Sequence, residues 1–190
     1  MYNENLGRTK NNMMISPKVT CEEHSSALKG RLIMKAFEGG ELVHSYESPN
    51  IIVNTASILI ARLLKDNSEP TTGISHLTIG SGNAGWDLFD PPAPTTSQVV
   101  LENEFYRKEV DLTTFVHPET GEPTTVPTNI VDYAVTFGES EAVGPIVEMG
   151  LFGGESTAQA NTGTMINWRT FPVINKTSTM TLTIIFRITA

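Results

Sequence analysis

The stretch near the C-terminus, STMTLTIIFRIT, limits the possible folds more than any other part of this chain. In an extended backbone, Met180, Leu182, Ile184, Phe186 and Ile188 share one face, while Thr181, Thr183, Ile185, Arg187 and Thr189 share the other. A strand with this two-residue period is stable only when its apolar face is covered. Shorter runs of the same kind precede it: ISHLTIG, VVLENEFYRKEVDLTTFV, NIVDYAVTFGE, PIVEMGLFG and TMINWRTFPVI. Between them lie the Gly, Pro and Thr clusters SGNAGWDLFDPPAPTTS, HPETGEPTTVPT and GGESTAQANTGT. Short strands punctuated by turn chemistry predict a mainly β protein, an antiparallel β-sandwich of jelly-roll-like form. A chain of 190 residues fits one domain, because at this size folding hides roughly 70% of the unfolded surface.

Upstream, GRLIMKAFE and ELVHSYES flank Gly39-Gly40, the positive-φ pair that a tight hairpin turn demands. From Asn50 to Asp66 the period changes, bringing Ile51, Ala56, Leu59, Leu63 and Leu64 near one side of a helix, with Asn54 or Thr55 as its N-cap. One α-helix near 51–66 is therefore expected. Residues 1–28 are polar, aperiodic and broken by Asn-Asn, Ser-Pro and Ser-Ser, which reads as an extended N-terminal arm able to lie across a neighbour. The sandwich domain is expected over 29–190.

Charge and motif content narrow the function classes. A formal net charge of -8 repels phosphate backbones and anionic lipid, which argues against nucleic-acid binding and membrane insertion. The first residues lack the apolar run of a signal peptide, and no later run reaches membrane-span length. The single cysteine, Cys21, cannot form an internal disulfide, so folding in a reducing cytoplasm is expected. Cys21 and His24 have ligand-like spacing but no second pair follows, and no metal or cofactor is expected. The motifs of phosphate loops, zincins and hydrolase elbows are missing. GSGNAG follows a strand as a dinucleotide turn would, yet WDLFDPPAP comes next, and its prolines bar the helix that would hold a phosphate. His24, His44, His76 and His117 are scattered, and Glu102 with Glu104 reads as a pair on one exposed strand face, so no catalytic residue is assigned.

The stretch IVEMGLFGG places an acid, Glu148, inside an apolar strand. Strict alternation sets Ile146, Glu148 and Gly150 on one face and Val147, Met149 and Leu151 on the other. A buried carboxylate is costly unless a cation or backbone N–H groups hold it. Arg107 and Arg169 lie in neighbouring expected strands, and a guanidinium suits a carboxylate, so Glu148 is expected to fasten strands through one of them. Gly150, Gly153 and Gly154 then allow a bulge or turn where the strand ends. The loop WDLFDPPAP stiffens two aromatics with prolines. Trp86, Phe89, Pro91 and Pro92 are the candidate interface, with packing onto the chain's own sheet as the competing arrangement.

The order of these pieces resembles a pattern in tailed bacteriophage structural proteins, particularly tail-fibre and collar-fibre attachment modules. The pieces are NIIVNTASILIARLLKD, ISHLTIGSGNAG, DPPAPTTSQVVLENEFYRKEV, PIVEMGLFGG, TMINWRTFP and KTSTMTLTIIFRI, spanning residues 50–190. In collar-fibre modules the IGSG strand lies close to the N-terminus, whereas here an arm and a hairpin precede it. The resemblance implies a virion component of tail, neck or baseplate that assembles in the host bacterial cytoplasm. Its partners would be other copies of itself, in a ring or trimer, and other virion proteins. A capsid decoration protein is the alternative. A host-glycan-binding module is the other rival, thinly supported by only two tryptophans, Trp86 and Trp168.

Overall fold

A computed structural model describes residues 28–65, 69 and 72–190. The expected arm, residues 1–28, lies outside the described residues apart from Leu28. Among the described residues the chain is mainly β with a single short helix, as its patterning predicts. Its elements are β1 (Lys29–Glu38), β2 (Glu41–Ile52), α1 (Thr55–Lys65), β3 (Thr72–Gly80), β4 (Glu104–Glu109), β5 (Leu112–Val116), β6 (Pro123–Thr124), β7 (Ile130–Phe137), β8 (Gly144–Gly154), β9 (Thr164–Lys176) and β10 (Met180–Thr189). Gly39 and Gly40 both take positive φ, 57° and 85°, and close the β1–β2 hairpin as expected.

All ten strands belong to one antiparallel sheet in the order β4-β3-β8-β9-β2-β1-β10-β7-β5-β6. Among the described residues, strand pairing joins its two halves only at the end of β2, where Ile51 pairs with Trp168 and Ile52 with Asn167. The rest of β2 pairs with β1. The two expected layers are thus halves of one sheet. Leu32, Met34, Phe137, Leu182, Ile184 and Phe186 from one half share a core with Leu77, Ile79, Met149, Leu151 and Phe171 from the other. Each half covers the apolar face of its opposite, as in a sandwich. The alternation read in β10 holds, with Leu182, Ile184 and Phe186 buried.

Three boundaries differ from the sequence reading. The helix starts at Thr55, because Ile51 and Ile52 spend their backbone groups in the ladder with β9. It buries Ala56 and Leu59, while Leu63 and Leu64 are 47% and 80% exposed. The run from Val99 to Val116 is not one strand: Val99–Asn103 belong to a loop, and β4 and β5 are separated at Val110-Asp111. There Val110 donates its N–H to Ser75 O and Asp111 donates to Ala134 O, so the chain leaves one half of the sheet for the other. Among the described residues no helix is long and apolar enough to cross a membrane.

Candidate functional site

From Ile146 to Gly154 every residue of β8 is buried, on both faces of the sheet. A strand covered on both sides has no reason to alternate, which explains its nearly unbroken apolar run. Pairing with β9 slips between Ile146 and Glu148, so Ile146 joins Met149 and Leu151 in the main core instead of sharing a face with Glu148. The outer face of β8 and β9 carries a second, smaller core: Phe152, Met165 and Trp168 with Val53 and Leu101, and with Ile51 and Trp86 packed against it. Its cover is the loop between β3 and β4, residues 81–103.

Glu148 sits beneath that loop with no exposed surface. Its Oε1 accepts the backbone N–H of Asn103 at 3.0 Å, and its Oε2 accepts the backbone N–H of Glu102 at 3.1 Å and the indole N–H of Trp168 at 2.9 Å. Burial pushes the carboxyl pKa up from its ordinary value, and the hydrogen bonds from Asn103, Glu102 and Trp168 pull against that rise. Glu148 is therefore a fastener, as the sequence suggests, but the expected arginine partner is a correction. Arg107 forks onto Glu104 at 2.7 and 2.8 Å, and Arg169 donates to the Tyr46 hydroxyl oxygen at 2.9 Å. Backbone donors win because the loop brings several N–H groups to a single carboxylate, whereas Arg107 already has an acid three residues away on its own segment.

Glycine makes this geometry possible. Gly80 pairs with Glu148 across the ladder, and a Cβ there would stand 2.5 Å from Glu148 Oε1. Gly82 has φ +72°, and a Cβ would stand 2.6 Å from the Trp86 ring. Gly82→Ala is expected to cost about 1–3 kcal/mol through positive-φ strain and displacement of the indole. Thermal melts followed by tryptophan emission would register this as a lowered midpoint with a shifted native spectrum. Gly150 is not a strand end: β8 runs through it, and a Cβ would meet Asn167 O at 2.8 Å. Gly153 and Gly154 lie opposite register irregularities at the start of β3, but the extra residues there, Gly73 and Ser75, belong to β3 and not to the glycine-bearing strand.

The loop is stitched at intervals along its length. Ser81 donates its N–H to Asn103 O, Val173 to Leu88 O and Asn54 to Thr96 O, and the Thr170 hydroxyl donates to Pro92 O. The Trp86 and Trp168 rings lie 6.3 Å apart between centroids. The candidate interface residues accordingly divide. Trp86 packs onto the chain's own second core, and Pro91 is half-buried. Phe89 is 77% exposed, and Pro92 is exposed beside it. Glu102 and Glu104 are not a working pair. Glu102 lies in the exposed loop and accepts from Asn83 and Gln98, while the Glu104 side chain is buried against Arg107.

Sequence reasoning missed the second fastening. The Arg107 and Glu104 side chains are 2% and 1% exposed. Arg107 also donates to the Ser156 hydroxyl oxygen and to Thr162 O at 2.8 Å each, and lies 4.7 Å over the Phe152 ring. Asn161 donates its N–H to Glu104 Oε2. The 155–163 loop is thereby tied to β4. Glu104 and Arg107 stand three apart in ENEFYRKEV, a spacing that strict strand alternation would put on opposite faces, and the extra residue in β4 where the register shifts opposite Ile79 and Gly80 is what lets them meet. His76 is buried with the Ser75 hydroxyl 2.9 Å from its Nδ1, and burial together with nearby Arg107 lowers its pKa. Among the described residues no three His, Cys, Asp or Glu side chains group as a metal site.

Fold and site together define a mainly β protein with one helix, in which a buried carboxylate and a buried ion pair hold two long loops against the sheet. No protein-family model matches this chain, and no curated protein matches it.

Proposed function

We propose that this chain is a structural component of a tailed bacteriophage particle, a tail, neck or baseplate fibre or a fibre-anchoring adaptor, working by association with its neighbours. The single observation that supports this reading best is the 81–103 loop. Buried Glu148 and the backbone ties hold it rigid, yet it presents Phe89 at 77% exposure beside exposed Pro92. A large aromatic side chain on a pinned loop gives area to a partner at small entropic cost. The ordered set of motifs over 50–190 supplies the virion context, and the acidic charge suits a shell partner better than nucleic acid. Its partners are further copies of itself, in a ring or trimer, and adjacent virion proteins.

Antibody labelling of intact particles by electron microscopy tests the assignment. Label on the tail, neck or baseplate supports it, label over the capsid lattice makes the chain a decoration protein, and absence from every particle ends the virion reading. Phe89→Asp is expected to weaken incorporation by about 30-fold, the size of a hot-spot loss of about 2 kcal/mol. Because Phe89 is exposed, the melting temperature of the free subunit should not move. Normal incorporation of the variant would remove the loop from the interface.

A further inference from the structure

Every arginine among the described residues except Arg169 has a carboxylate partner: Arg31 pairs with Glu47, Arg62 with Glu69 and Glu155, Arg107 with Glu104, and Arg187 with Asp132. In a chain that carries 21 acidic side chains against 13 basic ones, this singles Arg169 out. Arg169 is half-buried, and its Nε and Nη2 donate to a neutral acceptor, the Tyr46 hydroxyl oxygen, at 3.3 and 2.9 Å. Its Nη1 has no partner among the described residues. A partly desolvated cation without a counter-charge is costly, and an arriving anion lowers that cost. Arg169 lines a cleft of about 300 Å³ between β9 and the 81–103 loop. β9 bulges here, with Phe171, Pro172 and Val173 standing opposite Val147 alone. The loop is tied beside the gap by the Val173 N–H, which donates to Leu88 O, and by the Thr170 hydroxyl, which donates to Pro92 O, so the opening is held in shape. Pro91, Ala93, Pro94 and Pro172 make stiff apolar walls, and Asp90 brings an exposed carboxylate from the loop side.

The lining thus offers one charged donor, one charged acceptor and an apolar wall. We propose that the cleft binds a carboxylated sugar, a single uronic acid residue, with its carboxylate on Arg169, its ring hydroxyls donating to Asp90 and the C–H face of the ring against the prolines. A planar guanidinium fits a carboxylate. A ligand with hydroxyls is needed as well, because an ionised carboxylate on the loop side accepts hydrogen bonds and cannot donate them. A phosphate group would set a larger negative charge against Asp90. An acidic side chain from a neighbouring protein would reach Arg169, but it brings no hydroxyl to Asp90 and leaves most of the apolar wall uncovered. The volume lies at the lower end of the range for small-molecule sites, which suits one sugar ring. This binding goes beyond the structural role proposed above and is independent of the particle assignment.

Nitrogen–proton correlation spectra of the full-length chain, titrated with methyl glucuronide, test it. The Arg169 Nε signal and the Ala93 amide should shift and saturate. Methyl glucoside, which has a hydroxymethyl group in place of the carboxylate, and acetate, which has no ring, should each bind at least about 10-fold more weakly, a loss the size of one hydrogen bond to a charged group. Arg169→Gln should weaken methyl glucuronide by at least about 10-fold, and Asp90→Asn, a change at an exposed side chain, by about threefold, with the remaining amide signals of each variant in place. Acetate binding as tightly as the glucuronide would make the cleft a plain anion site. Equal binding of the glucoside, or of the glucuronide to Arg169→Gln, would leave Arg169 without a role. No shift at Arg169 in the native chain would mean that the cleft takes no acidic sugar. Each of these results overturns the proposal, and none of them bears on where the chain sits in the particle.

Discussion

Glu148→Ala is expected to lower the unfolding free energy by about 3–5 kcal/mol, enough to consume much of the margin of an ordinary domain. The substitution strips the acceptor from the buried indole N–H of Trp168 and from the part-buried N–H groups of Asn103 and Glu102, and it opens a void under the loop where the fully buried carboxylate stood. Each stranded donor costs about 1–3 kcal/mol. Glu148→Gln keeps the volume and one acceptor oxygen but turns an NH₂ toward an N–H, so roughly half the loss is expected. Urea unfolding followed by tryptophan emission is the direct measurement, since Trp168 is itself one of the donors.

The same site sets a pH dependence. Because burial raises the Glu148 pKa above its unfolded value, the folded chain binds this proton more tightly than the unfolded chain does. The stabilisation from this linkage is fully present below the ordinary value of 4.5 and is lost as pH rises through the raised folded value. Glutamine does not titrate, so the advantage of the native chain over Glu148→Gln should shrink as pH rises across that window. An advantage that grows with pH would mean that the N–H donors outweigh burial.

Arg107→Ala is expected to cost a comparable amount, about 3–5 kcal/mol, because it leaves the Glu104 carboxylate buried and unpaired. It also frees the 155–163 loop, whose Ser156 and Thr162 acceptors lose their guanidinium. Arg107→Lys should recover little, since a single ammonium cannot fork onto both carboxylate oxygens and still reach Ser156 and Thr162. Combining Arg107→Met with Glu104→Leu should be less harmful than Arg107→Ala alone, because no charge is then stranded. Hydrogen exchange at the Thr157 and Asn161 amides, which donate to Thr162 and Glu104, would report release of the loop. Unchanged protection there in Arg107→Ala would show that the ion pair does not hold it.

Much of the architecture was legible in local chemistry. The β1–β2 hairpin follows from two adjacent glycines, and the core face of β10 follows from a two-residue period that the fold leaves intact. The helix was legible in kind but not in its first turn. Nothing within Asn50–Val53 announces that Ile51 and Ile52 will join β9, because that ladder is formed with residues more than a hundred positions away. The same limit applies to the run 99–116, whose β-compatible composition hides the crossing from one half of the sheet to the other at Val110-Asp111.

The sequence by itself determined that the chain is mainly β with one helix and that Glu148 needs compensation, because side-chain period, turn residues and the cost of burying a charge are local properties. Only the tertiary structure decided what compensates it. Arg107 was the better partner by charge, yet it lies committed to Glu104, while a loop closing over β8 delivers N–H groups from Glu102 and Asn103. Backbone donors are the same at every position and leave no mark in composition. Their direction is set by how distant segments pack, so the partners of a buried acid become readable only when the chain is folded.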